Sequence, residues 1–123
     1  MEFAYAKQNN LTYTALVNKA GKTVQPTSEA FREAASNADW AHAPGYYLIL
    51  TDQPGDKSWP ILASTFILMH RQPTDKAASE AALNFFKFAF EKGGRMAEDL
   101  DYVAMPDSVV RQIEKTWSSE IKS

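Results

Sequence analysis

Cysteine is absent from the 123 residues, which excludes disulfide frameworks, thiolate nucleophiles and Cys-type zinc sites together. Histidine occurs only at His42 and His70. A metal site or catalytic dyad needs convergent partners at suitable spacing; neither histidine has them, so both read as structural or solvated. No run approaches the roughly 18 apolar residues that a membrane-spanning helix requires. Nor does the chain open with a charged segment followed by an apolar one, so an export signal, if there is one, lies outside these residues. Positive charge is scattered, and the formal net charge of −2 with a pI near 5.6 argues against a nucleic-acid or anionic-membrane surface, which needs clustered Lys and Arg. Repeats, low-complexity tracts and flexible linkers are also missing.

What is present is ordinary globular material: 45% hydrophobic and 23% charged residues suffice for one modest core. MEFAYAKQNN places Phe3 and Tyr5 on one side of an alternating pattern, which predicts a strand. Residues 13–17 and 23–25 form a β-pair around the turn at Ala20, Gly21 and Lys22, and Pro26 ends it. Thr27 or Ser28 caps a helix over residues 28–37, with Glu29 in its first turn and Phe31 and Ala35 on one face. A strand follows at residues 46–51, then a turn at Gln53, Pro54, Gly55 and Asp56. The longest helix opens at Thr74 or Asp75 and runs to Lys92, carrying Leu83, Phe86, Ala89 and Phe90 on one stripe. Gly93 and Gly94 are expected to end it through a left-handed cap. A short helical turn over residues 95–100 precedes a last helix that starts at Pro106 and buries Val110, Ile113 and Trp117.

Candidate chemistry is sparse. The carboxylates of TDQPGDK and AEDLDY lack the alternating ligand pattern and closing Glu of a calcium loop, so they read as turn and cap residues. Ser64 and Thr65 stand at a break before a strand, without the glycine-rich loop and helix that would make an oxyanion site. Phe85, Phe86, Phe88 and Phe90 read as a core face with its flanks rather than a base-stacking platform. With no nucleophile, base or metal constellation, the chain is not read as an enzyme, and neither a catalytic residue nor a cofactor is assigned.

The stretch SWPILASTFILMHR is the most informative. Trp59-Pro60 breaks regular structure, and the apolar run at residues 65–69 demands cover on both faces, as an interior strand does. The segments FAYAKQNNLTY, GKTVQPTSEAF, ADW, SWPILASTFILMH, ALNFFKFAFEKG and DLDYVAMPDSVV together resemble, in order and spacing, the C-terminal part of the bacterial phosphate-binding protein family. Its members are periplasmic receptors of the high-affinity phosphate ABC importer. The resemblance covers essentially the whole chain.

The resemblance implies an α/β chain, an incomplete C-terminal portion of a two-lobed periplasmic-binding-protein fold with mixed sheet segments and helices. Residues 1–57 would end the second lobe, residues 58–64 would form the return crossover, and residues 65–123 would be the returning part of the first lobe. Trp59, Pro60, Ile61 and Ser64 are then the expected hinge positions, with Pro60 stiffening the crossover. The family grips dehydrated phosphate through backbone amides, Ser and Thr hydroxyls, an arginine and an aspartate supplied upstream. Its Ser-Gly-Thr element has no match here, so no phosphate ligand is carried over, and neither Arg71 nor Arg95 is assigned the arginine's role. The implied function is a portion of a receptor that captures inorganic phosphate and delivers it to the importer's membrane subunits, in the periplasm. The alternative is an interaction or assembly module without solute binding. Because the strand at residues 65–69 would lack neighbours, a homo-oligomer completed by segment exchange is expected.

Overall fold

A computed structural model of the chain describes residues 2–122; Met1 and Ser123 lie outside the described residues. The N-terminal segment is helix α1 (Phe3–Gln8), not the strand that the Phe3/Tyr5 alternation predicts. Alanine, lysine and glutamine favour helix in so short a stretch, and Ala4 and Ala6 are buried. The stop is well defined. Asn10 adopts a left-handed φ of 52°, its N–H donates to the Lys7 carbonyl at 3.2 Å, and the Leu11 N–H donates to Ala6 at 2.8 Å. This is the paired termination that an asparagine can support after a helix.

Strands β1 (Leu16–Val17) and β2 (Thr23–Val24) pair antiparallel with Leu16 opposite Val24. The expected β-pair is therefore present but shorter. Helix α2 (Ser28–Ser36) begins where Thr27 Oγ1 accepts from the Ala30 N–H at 3.1 Å, the capping role expected of it. Its buried face comprises Ala30, Phe31, Ala34 and Ala35. Phe31 meets Phe3 edge-to-face at 5.4 Å, which ties α1 to α2.

After α2 the Trp40 indole N–H donates to the Ala35 carbonyl at 2.7 Å, and a 3₁₀ turn covers Pro44–Tyr46. The strand expected at residues 46–51 pairs with nothing among the described residues, where the only sheet is β1–β2. Its alternation is nevertheless real: Tyr47 and Ile49 are exposed, while Leu48 packs on the core and Leu50 is buried. That core joins Ala38, Trp40 and Leu50 to Val109, with Tyr46, Leu48, Leu62, Met105 and Ile113 around it. The second expected strand, residues 65–69, is likewise in neither ladder nor helix. Phe66 and Ile67 are exposed and Leu68 is 93% exposed. A strand exists only with a hydrogen-bonded neighbour, and the described residues supply none. The chain is thus helical with little sheet.

Helix α3 (Lys76–Lys92) is capped by Asp75, whose Oδ1 accepts from the Ala78 N–H at 2.9 Å. Leu83, Phe86, Ala89 and Phe90 are half-buried, while Phe85 and Phe88 on the other side are exposed. Gly93 does not take the expected left-handed cap: its φ is −82°, and helix α4 (Gly94–Asp99) follows at once. Glycine suits this junction because a Cβ would lie 2.5 Å from the Ala89 carbonyl oxygen. Helix α5 (Asp107–Glu120) starts after Pro106, with Val109 buried rather than Val110. Val110, Ile113 and Trp117 are half-buried, and the Trp117 ring stacks on Phe90 at 5.8 Å.

Candidate functional site

The best-organised polar cluster surrounds Asn18, at the start of the β1–β2 turn. Its Oδ1 accepts from the N–H groups of Ala20 (3.1 Å) and Lys22 (3.0 Å), an Asx-type arrangement that shapes the turn. Its Nδ2 faces the carbonyls of Gly55 (3.1 Å), Asp56 (2.9 Å) and Ser58 (3.2 Å). Both ends of one buried amide are therefore used. Ser58 is fully buried; its hydroxyl donates to the Pro54 carbonyl at 2.6 Å and accepts from Asn37 Nδ2 at 3.3 Å. Asn37 Nδ2 also reaches the Pro54 carbonyl at 2.9 Å. Gly55 makes the tight loop possible with a φ of 119°, and a Cβ there would lie 2.3 Å from Asn37 Nδ2.

The expected hinge residues follow directly. The Trp59 N–H donates to the Ala30 carbonyl at 3.1 Å, and its ring meets Phe31 edge-to-face at 6.0 Å. The Pro60 carbonyl accepts from the Asp52 N–H at 2.9 Å. Ile61 is exposed and Ser64 half-buried. Trp59 and Pro60 are thus tied to α2 and the preceding loop, whereas Ile61 projects into solvent. Reading the sequence alone placed Ser58 at the start of the crossover without giving its side chain a role, and missed Asn18 and Asn37. The available signal was an asparagine opening a glycine turn, but its second set of partners lies at Gly55, Asp56 and Ser58, remote in sequence.

Beside this cluster, Lys57 Nζ lies 2.7 Å from Glu29 Oε1. Hydrogen bonding to Lys57, reinforced by its charge, lowers the Glu29 pKa, and the same bond raises that of Lys57. Both groups are solvent-exposed, so water screens the pair heavily. His42 pairs with Asp39 at 2.8 Å on the surface, and His70 is exposed. Arg71 pairs with Glu120 at 3.2 Å. Asp52 and Asp101 occupy left-handed turn positions (φ 54° and 61°), in keeping with turn roles for the acidic segments. Among the described residues no cluster of three or more His, Cys, Asp or Glu side chains could hold a metal ion. No described helix is long and apolar enough to cross a membrane. An open cleft of about 370 Å³ lies between the 40–46 loop and α5, lined by residues including Trp40, Gln112, Lys115 and Glu120.

No protein-family model matches the chain. Individual proteins do. The sequence is 50% identical over 122 residues to the phosphate-binding protein PstS of Xylella fastidiosa strain 9a5c, covering 99% of this chain and 34% of that protein. It is 46% identical to PstS of Pasteurella multocida, covering 100% of this chain and 36% of the relative. PstS of Methanocaldococcus jannaschii is 34% identical, over 89% of this chain and 31% of its own length. The chain therefore spans about a third of the length of the curated relatives it matches. Identity at this level across nearly every residue establishes that the chain belongs to the PstS-type phosphate-binding protein family, as a portion of such a protein.

Proposed function

We propose that the chain is the C-terminal portion of a receptor that captures inorganic phosphate in the periplasm and delivers it to the membrane subunits of an ABC importer. The supporting observation is the similarity of almost its whole length to proteins named phosphate-binding protein PstS. In this reading the chain is not an enzyme and contributes scaffold rather than phosphate ligands. Residues 1–57 end the second lobe, residues 58–64 cross between lobes, and residues 65–123 return to the first, with Trp59, Pro60, Ile61 and Ser64 as hinge positions. The apolar exposure of Phe66, Ile67 and Leu68 supports a strand whose neighbours come from outside this chain. The test is calorimetry with a receptor completed by the missing portion of a relative. Saturable phosphate binding is expected, and its loss when this chain is omitted; a completed, folded receptor that ignores phosphate would contradict the reading.

The exposed run also supports a second reading, an assembly module. Produced alone, the chain is proposed to form a homo-oligomer, a second copy covering residues 65–69 by segment exchange. Apolar cover at about 25 cal/mol per Å² favours such pairing before the entropic cost of association. Light scattering during size exclusion decides it, since a compact monomer of 13.8 kDa would exclude the exchange.

A further inference from the structure

The polar cluster at Asn18 divides the proposed crossover into a part whose backbone is hydrogen-bonded and a part whose backbone is not. Up to Pro60 the backbone is anchored by hydrogen bonds, while the Asp56 and Lys57 side chains face solvent. Asn18 grips three carbonyls of the 55–58 loop, Ser58 is fully buried, the Trp59 N–H is bonded to α2, and the Pro60 carbonyl is bonded to the Asp52 N–H. Proline restricts φ at the last of these positions. Directly beyond, Ile61 is 65% exposed, and although the Leu62 side chain packs on the core, no backbone–backbone hydrogen bond among the described residues involves residues 61–64.

We propose that Asn18 is a positioning residue for the crossover. It locks residues 55–60 to the β1–β2 turn and α2, so that the following chain pivots at residues 61–64 while Trp59 and Pro60 move with the preceding unit. This rests on the crossover reading above and narrows it. Two of the expected hinge residues, Trp59 and Pro60, become part of the anchor, and Ile61 and Ser64 remain in the pivot. The chemistry requires an amide: one end must accept two N–H groups while the two N–H donors of the other are shared among three carbonyls. A carboxylate at this position keeps the acceptor and loses the donor, setting negative charge against carbonyl oxygens. The 40-residue separation of Asn18 from Ser58 makes the lock tertiary, not a local turn preference.

Amide hydrogen exchange on this chain, resolved by residue in NMR spectra and corrected for intrinsic rates, tests the proposal. The Trp59 amide should exchange at least about tenfold more slowly than those of Leu62 and Ala63, in line with the spread between anchored and freely opening segments. In Asn18→Asp, Ser58 and Trp59 should lose most of that difference while Lys22, whose N–H still meets an oxygen acceptor, and the α5 amides keep theirs. Should Asn18→Asp lose protection throughout, Gly55→Ala applies the same test from the other side: loss confined to residues 55–60 supports the lock, and loss elsewhere, or none, overturns it. Equal exchange at Trp59 and Leu62 in the unaltered chain overturns the proposal, as does unchanged Trp59 protection in Asn18→Asp. Protection extending through residues 62–64 would leave no pivot and also overturn it. Failure of the phosphate reading would appear in calorimetry of the completed receptor and would leave these exchange rates unmoved.

Discussion

The side-chain amide of Asn18 donates to the carbonyl of Ser58 at 3.2 Å, joining positions 40 residues apart. Ser58 in turn donates to Pro54 at 2.6 Å, so one chain of polar contacts runs from the hairpin turn to the loop before Trp59. The two ends should differ in sensitivity. Asn18→Ala strands three carbonyls and two N–H groups, with an expected cost of about 2–4 kcal/mol. Ser58→Ala should cost about 1 kcal/mol, because Asn37 still donates to the Pro54 carbonyl at 2.9 Å. Denaturant unfolding of the two variants measures the difference, and equal costs would mean that the Asn18 contacts are not formed in solution.

Two glycines with positive φ provide an internal comparison. At Gly21 (φ 73°) nothing lies within 4 Å of an added Cβ, so Gly21→Ala meets only the left-handed penalty, about 1 kcal/mol. At Gly55 the added Cβ also meets Asn37 Nδ2 at 2.3 Å and Ser58 Oγ at 2.6 Å. Gly55→Ala should therefore cost more than about 2 kcal/mol, and thermal unfolding should rank the pair in that order.

Leu50 and Leu68 are the same residue type in opposite environments, 3% and 93% exposed. Truncating Leu50 leaves a cavity against Trp40 and Val109, and Leu50→Ala should cost about 2–5 kcal/mol. Leu68→Lys should reduce self-association in light scattering and leave the unfolding of the dissociated monomer unchanged. If association persisted undiminished in that variant, residues 65–69 would not be the pairing segment.

The Glu29–Lys57 pair has a definite sign with pH. Glu29 is lowered by its bond to Lys57, so its contribution is present above the unfolded carboxyl pKa and is lost as pH falls through the folded value. Lys57 is raised, so its contribution is present below the unfolded amine pKa and is lost as pH rises through the folded one. Exposure keeps both effects small. Glu29→Gln should lower the neutral plateau of the stability profile slightly and flatten its acid limb, with stability unchanged at low pH, where the carboxyl is already protonated, in pH-dependent melting.

Much of the helical framework was legible because its signals are local. Thr27 before the Ala30 amide, Asp75 before Ala78, and Pro106 before α5 are capping patterns that need no knowledge of tertiary neighbours. The misread segments fail for identifiable reasons. Phe3 and Tyr5 alternate over too few residues to distinguish a strand from one helical turn, and the Asn9-Asn10 stop was the better signal. Gly93 is glycine for lack of room beside Ala89, not for a left-handed φ. Residues 46–51 and 65–69 have strand-like sequence without a described ladder, because period and apolarity report which faces want cover, not whether a neighbour is at hand. The Asn18–Ser58 lock was invisible for the same reason: each residue is unremarkable until the chain brings them together.

The central claim, that this chain is receptor scaffold without the phosphate-gripping groups, is tested most directly by titrating phosphate into the purified chain in a calorimeter. No saturable heat is expected at micromolar phosphate. A saturable isotherm with a Kd in the micromolar range or tighter, at a stoichiometry near one per chain, would contradict it and require a phosphate site within these 123 residues.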